Sequence, residues 1–222
     1  MKKGLLFLLL SIAVVACTIE TYEKGDGENS YLQADFVDAH ADANLKIDYV
    51  DTDGGERLNI SVPFTKSFVK KAESSYRGIL YYNKKGDNVA EMVSFAEVGV
   101  AGITPIDSLT KKTSMKTDPL TLEGLWVSKN KRYLNATLYV KIGSTDDNSA
   151  MHRLAVISDT LMSHTDGKKT LHLRLYHDQG GMPEYYSQRT YFSIPIQKLG
   201  VDSIQFTINT YKGLVTKTLS LK

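Results

Sequence analysis

Cysteine occurs once in the 222 residues of this sequence, at position 17, so the chain forms no internal disulfide and no cysteine-only metal site. The longest apolar run near the start, residues 5–15, is shorter than the ~20 residues that a membrane-spanning helix needs. Neither sign of charge predominates, with 27 lysines and arginines against 25 aspartates and glutamates. Nucleic-acid binding is therefore not predicted, because such proteins usually show a basic excess or stripe.

The first sixteen residues have the form of a secretory signal. Two lysines precede the apolar run, and Val14, Val15 and Ala16 precede Cys17. In a bacterium this arrangement is a lipobox, which is cleaved before a cysteine whose sulfur carries a diacylglycerol. An ordinary cleaved signal would leave Cys17 at the cut only by coincidence. We therefore predict a lipoprotein signal peptide over residues 1–16 and a lipid at Cys17 that anchors the chain to a membrane.

Residues 17–30 are polar and acidic and contain two glycines. They offer no apolar face to bury, so this segment is predicted to be a lipidated, flexible tether. Its acidic residues resemble the export signal that follows the lipidated cysteine in some Gram-negative anaerobes. Exposure at the cell surface is a hypothesis based on this pattern.

Residues 31–104 are predicted to form a small β-barrel domain. Alternation of apolar and polar residues predicts five strands, around residues 32–36, 45–49, 58–62, 78–83 and 89–100. Thr65 caps a predicted short helix whose Phe68, Ala72 and Tyr76 share one face. Three strands, one short helix and two strands are the order of a five-stranded barrel of OB type, although other small barrels fit the same spacing.

Residues 51–56, Asp-Thr-Asp-Gly-Gly-Glu, predict a hairpin turn, because their glycines supply the positive φ that such a turn needs. The segment also resembles the start of a calcium-binding loop. However, Gly55 occupies the third ligand position, and the spaced terminal glutamate is absent. We therefore interpret the segment as a turn.

Residues 105–118 differ in composition, being rich in serine, threonine and lysine, and we interpret them as a connector between two domains. Ser108 and Lys111 fit the S-x-x-K pattern of serine acylases, but the partner motifs are absent. Ser108 and its neighbours also fit the short D-[ST]-apolar site of protein O-glycosylation in some anaerobes. Ser108 is therefore a candidate glycosylation site.

Residues 119–222 are predicted to form a β-sandwich domain. Alternating patterns and turn signals delimit about seven strands, near residues 120–127, 134–142, 155–162, 171–175, 186–196, 204–208 and 214–221. About seven short antiparallel strands in ~100 residues are typical of an immunoglobulin-like sandwich. The paired cysteines of antibody domains are absent from the sequence. The fold class is therefore mainly β, with an OB-type barrel followed by a sandwich.

Three runs in the second domain resemble the NigD-like lipoproteins of Gram-negative anaerobes. They are residues 125–135 (LWVSKNKRYLN), 171–178 (LHLRLYHD) and 193–195 (SIP). The resemblance implies a lipobox, an N-terminal OB-type barrel and a C-terminal sandwich. It also implies an outer-membrane lipoprotein that faces the periplasm or the cell surface. The family is named after a bacteriocin-associated locus, and the resemblance implies no particular enzymatic activity.

No set of residues in the sequence predicts catalysis. Nucleophile-elbow, phosphate-loop and H-E-x-x-H motifs are absent, and neither a cofactor nor a metal is predicted. His172 and His177 lie five residues apart on one predicted strand and so face opposite sides of it. His152 opens a strand, whereas His40 and His164 fall in predicted turns. We interpret these histidines as surface or strand-edge residues.

The segment 177–186 (HDQGGMPEYY) predicts a long hairpin loop with glycines at its bend. In a structural interpretation, which we favour, Tyr185 and Tyr186 pack against the edge of the sandwich. In a functional interpretation, the two rings form a binding rim that offers flat faces to a sugar or a partner. Both interpretations remain open from the sequence.

These observations predict a non-enzymatic lipoprotein of the cell envelope that binds a protein or glycan partner. One alternative is a hydrolase or processing factor for exported peptides, suggested by the bacteriocin-associated locus. It remains open because a catalytic triad can assemble from residues that are distant in sequence. Another alternative is a structural component of a surface assembly.

Overall fold

The computed structural model describes residues 32–109, 114–146 and 150–222. The predicted signal peptide, the lipid site at Cys17 and the predicted tether lie outside these residues. Residues Leu32–Lys222 form one unit. The strands of this unit build first a closed barrel and then two stacked sheets.

Five strands close the barrel, namely β1 (Leu32–Ala41), β2 (Ile47–Thr52), β3 (Arg57–Phe64), β4 (Ser74–Lys84) and β5 (Val89–Glu97). Their order around the barrel is β1-β2-β3-β5-β4, and β4 pairs back to β1. Strands β3 and β5 pair in parallel, whereas the other neighbours are antiparallel. The predicted five-stranded barrel is confirmed.

Side-chain alternation explains why these segments form strands. In β3, Leu58 and Ile60 are buried, whereas Asn59 and Ser61 are exposed. Successive side chains of a strand point to opposite faces, so the apolar residues fill the barrel and the polar ones face solvent. The predicted turn between β2 and β3 is also present, with Gly55 at a φ of 93°.

The predicted short helix over residues 65–76 is wrong. Residues 65–73 form turns and bends, and Tyr76 already belongs to β4. Phe68 packs against Phe95 with ring centroids 5.6 Å apart, so its apolar side chain covers the barrel instead of a helix face. The Tyr76 hydroxyl accepts the backbone N–H groups of Lys70 and Lys71 at 3.0 and 2.8 Å. Tertiary contacts thus outweigh the helical spacing of these residues.

The sandwich has nine strands: β6 (Gly99–Val100), β7 (Ile103–Pro105), β8 (Thr121–Val127), β9 (Tyr133–Ile142), β10 (Arg153–Ser163), β11 (Lys169–Asp178), β12 (Tyr186–Pro195), β13 (Ser203–Thr210) and β14 (Gly213–Ser220). One sheet has the order β14-β13-β11-β10-β7, and the other has the order β6-β12-β9-β8. The seven strands predicted after residue 119 are all present. However, β11 and β13 pair in parallel, which the sequence analysis did not predict.

The short strand β6 precedes the predicted end of the barrel domain at residue 104, and β7 spans it. They pair in parallel with β12 and β10 of the sandwich. The sequence-based boundary at residue 104 therefore falls inside strands of the sandwich, because two- and three-residue strands leave no period-two pattern to detect. A 3₁₀ turn, Ile106–Ser108, follows β7, and Ser108 is exposed there. It is the only helical element among the residues that the structure describes.

Apolar side chains between the two sheets form the sandwich core. Leu134, Leu138, Ile194, Ile204 and Phe206 are completely inaccessible to solvent. They come from β9, β12 and β13, so both sheets contribute. A second cluster fills the barrel and includes Val37, Val50 and Leu58, which are also completely buried. The chain therefore has two separate apolar cores.

A buried charge network joins the barrel to the outer face of the β6-β12-β9-β8 sheet. Arg77 of β4 is 5% exposed and donates to Asp53 at 2.6 Å. The same guanidinium donates to Asn135 at 3.1 Å and to Ser193 at 3.0 Å. Asp38 of β1 lies 3.7 Å from it. We call these five residues the junction network, because two of them belong to the sandwich and three to the barrel.

Aromatic rings cover the junction network on one side. Phe36 of β1 meets Trp126 of β8 edge to face with centroids 5.4 Å apart, and it meets Tyr191 of β12 at 5.8 Å. Edge-to-face contacts of this kind add to the stabilisation from burial alone. The tryptophan and its neighbours thus hold the barrel on the sheet.

Candidate functional site

Four segments gather at one end of the sandwich, which we call the loop end. They are residues 114–120, residues 143–146 with 150–152, residues 179–185 and residues 210–213. The Tyr211 N–H donates to the Leu120 carbonyl at 3.2 Å, which joins the first segment to the last. Gly180 lies so close to the Met151 carbonyl that any Cβ at this position would collide with it. The middle two segments are therefore also in contact.

The segment that the sequence analysis assigned to the connector runs beside the end of β11. The His177 N–H donates to the Lys116 carbonyl, and the Asp118 N–H donates to the His177 carbonyl, each at 3.0 Å. The Asp118 carboxylate also accepts the N–H of Gln179 at 2.7 Å. These bonds tie the incoming chain to the loop that follows β11.

Asp178 organises that loop. Its carboxylate accepts the Gly180 N–H at 3.0 Å, and it pairs with Lys116 at 2.9 Å and Arg153 at 3.2 Å. The hydrogen bond from Lys116 holds the pKa of this carboxyl below its usual value. An aspartate that binds the N–H two residues ahead forms an Asx turn. Gly180, at a φ of 60°, continues the bend without strain.

Three exposed side chains of the loop end and the first residue of β12 form a surface that we call the rim: Met151, Tyr185, Tyr211 and Tyr186. Tyr185 is 72% exposed and Tyr186 is 68% exposed. Burial raises the pKa of Tyr211, and the neighbouring carboxylates of Glu184 and Asp118 raise it further. Tyr211 therefore lies near Glu184, which directly precedes Tyr185.

Tyr185 has a structural contact as well as an exposed face. Its ring edge and Pro183 lie against Gly143, where a Cβ would come within 2.7 Å of both side chains. A glycine at the end of β9 therefore allows the loop to approach the strand closely. The contact holds one edge of Tyr185 and leaves most of the ring facing solvent.

Two histidines lie beneath the loop end. His152 Nδ1 and His177 Nε2 are 2.9 Å apart. The other nitrogen of His152 is 2.8 Å from the Lys141 carbonyl, and that of His177 is 2.8 Å from the Asp118 carbonyl. His177 is only 1% exposed, so its interpretation as a surface or strand-edge residue is wrong. Burial lowers the pKa of its imidazole.

On the barrel, three side chains have the order of a Ser-His-Asp triad. Ser75 Oγ lies 2.9 Å from His40 Nδ1, and His40 Nε2 lies 3.1 Å from Asp51 Oδ2. The strand register produces this arrangement, because His40 of β1 lies opposite Ser75 of β4 and Tyr49 of β2. His40 thus belongs to a strand, not to the turn that the sequence analysis predicted.

The surroundings of this cluster do not suit acyl transfer. Arg57 donates two hydrogen bonds to the Asp51 carboxylate, at 2.7 and 2.9 Å. The negative charge of Asp51 is therefore already paired with a guanidinium. The adjoining cavity of about 220 Å³ is lined by three carboxylates, those of Asp42, Asp48 and Glu73. Negative charge there would oppose an oxyanion, whose stabilisation is usually the largest contribution to such catalysis. The cluster is best described as a polar network on the barrel surface.

Within residues 32–109, 114–146 and 150–222, no group of three His, Cys, Asp or Glu side chains is arranged to hold a metal ion. Over the same residues, no helix is long and apolar enough to cross a membrane.

A closed five-stranded barrel followed by a sandwich defines a two-part, almost entirely β protein. Residues 102–221 match the model of the NigD-like C-terminal beta sandwich domain. The chain belongs to the NigD-like family, as the resemblance of its second domain predicted. No curated protein sequence matches it.

Solved structures share this fold at low sequence identity. A NigD-like immunity protein from Bacteroides caccae is 24% identical, with a TM-score of 0.66 over 83% of this chain and 91% of that one. A protein of unknown function from Bacteroides vulgatus is 16% identical, with a TM-score of 0.62 over 85% and 90%. A candidate lipoprotein from Bacteroides fragilis is 11% identical, with a TM-score of 0.60 over 86% and 98%. At these sequence identities, the similarity establishes a shared fold and nothing more.

Proposed function

We propose that this chain is a lipid-anchored protein of the cell envelope that captures an exported protein partner through the rim, without catalysing a reaction. The main support for this proposal is that Tyr185 and Tyr186 are exposed on a loop that hydrogen bonds hold in place. Tyrosine supplies a large contact area at a low cost in conformational entropy. The hydrogen bonds of Asp118 and Asp178 hold the loop in place before a partner arrives, which reduces the cost of binding.

Two of the structural relatives support this proposal. The Bacteroides fragilis relative is described as a candidate lipoprotein, which agrees with a lipid at Cys17 of this chain. The Bacteroides caccae relative is described as an immunity protein. Immunity proteins of the colicin type act by binding another protein tightly, so a protein partner fits the rim better than a glycan.

Replacing Tyr185 and Tyr186 together by alanine is expected to weaken partner capture at least 10-fold, as loss of an aromatic hot spot does. The melting temperature should stay within about 2 °C, because truncation of exposed side chains usually changes stability by no more than ~0.5 kcal/mol. Capture from native membranes by the full chain, followed by calorimetric melting, measures both quantities.

The matched control for that experiment is Val62→Ala, since Val62 is 74% exposed but lies on β3 of the barrel. One stoichiometric exported protein that the control retains and the double variant loses would support the proposal. Retained capture together with a large drop in melting temperature would instead assign the tyrosines to packing. Specific signals on a glycan array would favour a glycan ligand, and turnover of exported peptides by the pure protein would favour the hydrolase.

Replacing Cys17 by alanine is expected to release the protein from the membrane fraction into the soluble fraction, because the cysteine sulfur would carry the lipid. Cell fractionation followed by immunoblotting measures this. A variant that remains wholly in the membrane fraction would contradict lipid anchoring at Cys17. Protease treatment of intact cells then separates exposure at the cell surface from a periplasmic orientation.

A further inference from the structure

The imidazoles of His152 and His177 meet end to end beneath the rim. Their facing nitrogens are 2.9 Å apart, their ring centroids are 5.2 Å apart, and their planes differ by 21°. The centroid separation equals the sum of the nitrogen–nitrogen distance and the two ring radii, which is its largest possible value. The two nitrogens therefore point directly at each other.

The three contacts of this pair require three N–H protons. His152 Nε2 faces the Lys141 carbonyl and His177 Nδ1 faces the Asp118 carbonyl, each at 2.8 Å. A carbonyl oxygen only accepts hydrogen bonds, and a neutral imidazole has a single N–H. If both rings were neutral, their two N–H protons would serve only two of the three contacts, and at the third contact a nitrogen lone pair would face another lone pair. One additional proton turns this repulsion into a hydrogen bond.

We propose that His152 and His177 together bind one additional proton and act as a pH-sensitive latch that holds the loop end in its binding shape. The regulatory part of this inference rests on the proposed capture of a partner by the rim. The three hydrogen bonds of the pair connect β9, the segment before β8, the residue that directly precedes β10, and β11. They therefore link both sheets of the sandwich directly below Met151.

Charged residues lie on every element that the pair contacts, and the carboxylates of Asp118 and Asp178 act directly on His177. The charged residues are Lys116 and Asp118 on the incoming segment, Lys141 on β9, Arg153 on β10 and Asp178 on β11. The two carboxylates favour the additional proton, and the ion pairs of Asp178 with Lys116 and Arg153 offset part of the opposing positive charge. His177 is the more buried of the two rings, whereas His152 is half-buried.

The latch predicts a maximum in stability near pH 6.5. In the unfolded chain both histidines titrate near ~6.5. Above that pH the folded pair holds more protons than the unfolded chain, so stability falls as pH rises and the shared proton is lost. Below it, the lowered pKa of the buried His177 resists the second proton, so stability also falls as pH decreases.

Ring-nitrogen NMR of the full chain labelled with ¹⁵N-histidine tests the protonation directly. At pH 7.5 most ordinary histidines are neutral, whereas this pair is expected to hold three N–H protons. Two neutral rings at pH 7.5 would overturn the proposal. The measurement uses no variant and no partner, so its failure is distinguishable from failure of partner capture.

Hydrogen exchange measures the latch itself. Between pH 6.5 and 8.5, after correction for the intrinsic exchange rate, the opening equilibrium of residues 116–120 and 179–185 should rise about five-fold, as expected for one lost hydrogen bond. His152→Asn should remove this pH dependence, because a neutral amide donates to His177 at every pH. The control His172→Asn, on β11, should retain it, since the His172 ring makes no hydrogen bond among the residues described. An unchanged profile in His152→Asn would contradict the latch.

Discussion

Arg77→Ala is expected to lower the free energy of unfolding by about 3–5 kcal/mol, the typical cost of removing one partner from a buried ion pair. The substitution would leave the Asp53 carboxylate in the junction without its cation. It would also remove the hydrogen bonds to Asn135 and Ser193 and the stacking of the guanidinium, 4.0 Å above the Tyr133 ring. Urea denaturation followed by circular dichroism measures the change.

Arg57→Ala provides the matched control. Arg57 also pairs with an aspartate of the barrel, Asp51, but its side chain is 60% exposed. Exposed ion pairs of this kind contribute little to stability, so Arg57→Ala should shift the denaturation midpoint far less than Arg77→Ala. Equal effects of the two substitutions would show that the junction network does not stabilise the fold. Arg77→Lys retains the positive charge but not the planar set of N–H donors. Its free energy of unfolding should therefore lie between those of Arg77→Ala and the original chain.

Gly78→Ala is expected to destabilise the chain by about 3 kcal/mol, at the upper end of the range for overpacked cores. A Cβ at Gly78 would collide with the Phe95 ring and would come within 2.7 Å of the Ala96 carbonyl. The ring has little room to move, because Phe64 and Phe68 pack on it with centroids 5.8 and 5.6 Å away. The shift in the denaturation midpoint measures the cost.

Gly99→Ala is the corresponding control, since a Cβ there meets no atom within 4 Å. That substitution should be neutral or stabilising by a few tenths of a kcal/mol, because it restricts the unfolded chain. In the Gly78→Ala background, Phe95→Leu should restore part of the lost stability by making room for the methyl group. Additive losses in the double variant would show that the close contact is not the cause.

The sequence predicted most of the strands, because strands with one buried face carry their own pattern. β3 and β9 alternate apolar and polar residues along their length, and both lie where expected. The helix over residues 65–76 was wrong because Phe68 and Tyr76 have helical spacing but make their contacts with the barrel. Local spacing cannot distinguish these two uses of an aromatic residue.

The sequence predicted less of the candidate site than of the fold. Tyr185 and Tyr186 were singled out as adjacent aromatic residues in a glycine-containing loop, and the structure exposes both. His152 and His177 could not be paired from the sequence, because they are 25 residues apart. They meet only through the register in which Leu154 of β10 lies opposite His177 of β11. No local signal specifies that register.

The junction network also constrains the order of folding. The barrel strands are complete at Glu97, yet two partners of Arg77 lie in the sandwich. Asn135 is 58 residues and Ser193 is 116 residues beyond Arg77. A chain made from its N-terminus therefore finishes the barrel sequence well before the groups that compensate its buried arginine. The barrel reaches its full stability only after the sandwich strands β9 and β12 have assembled beside it. Folding of the sandwich is thus the step that compensates the buried charge of the barrel.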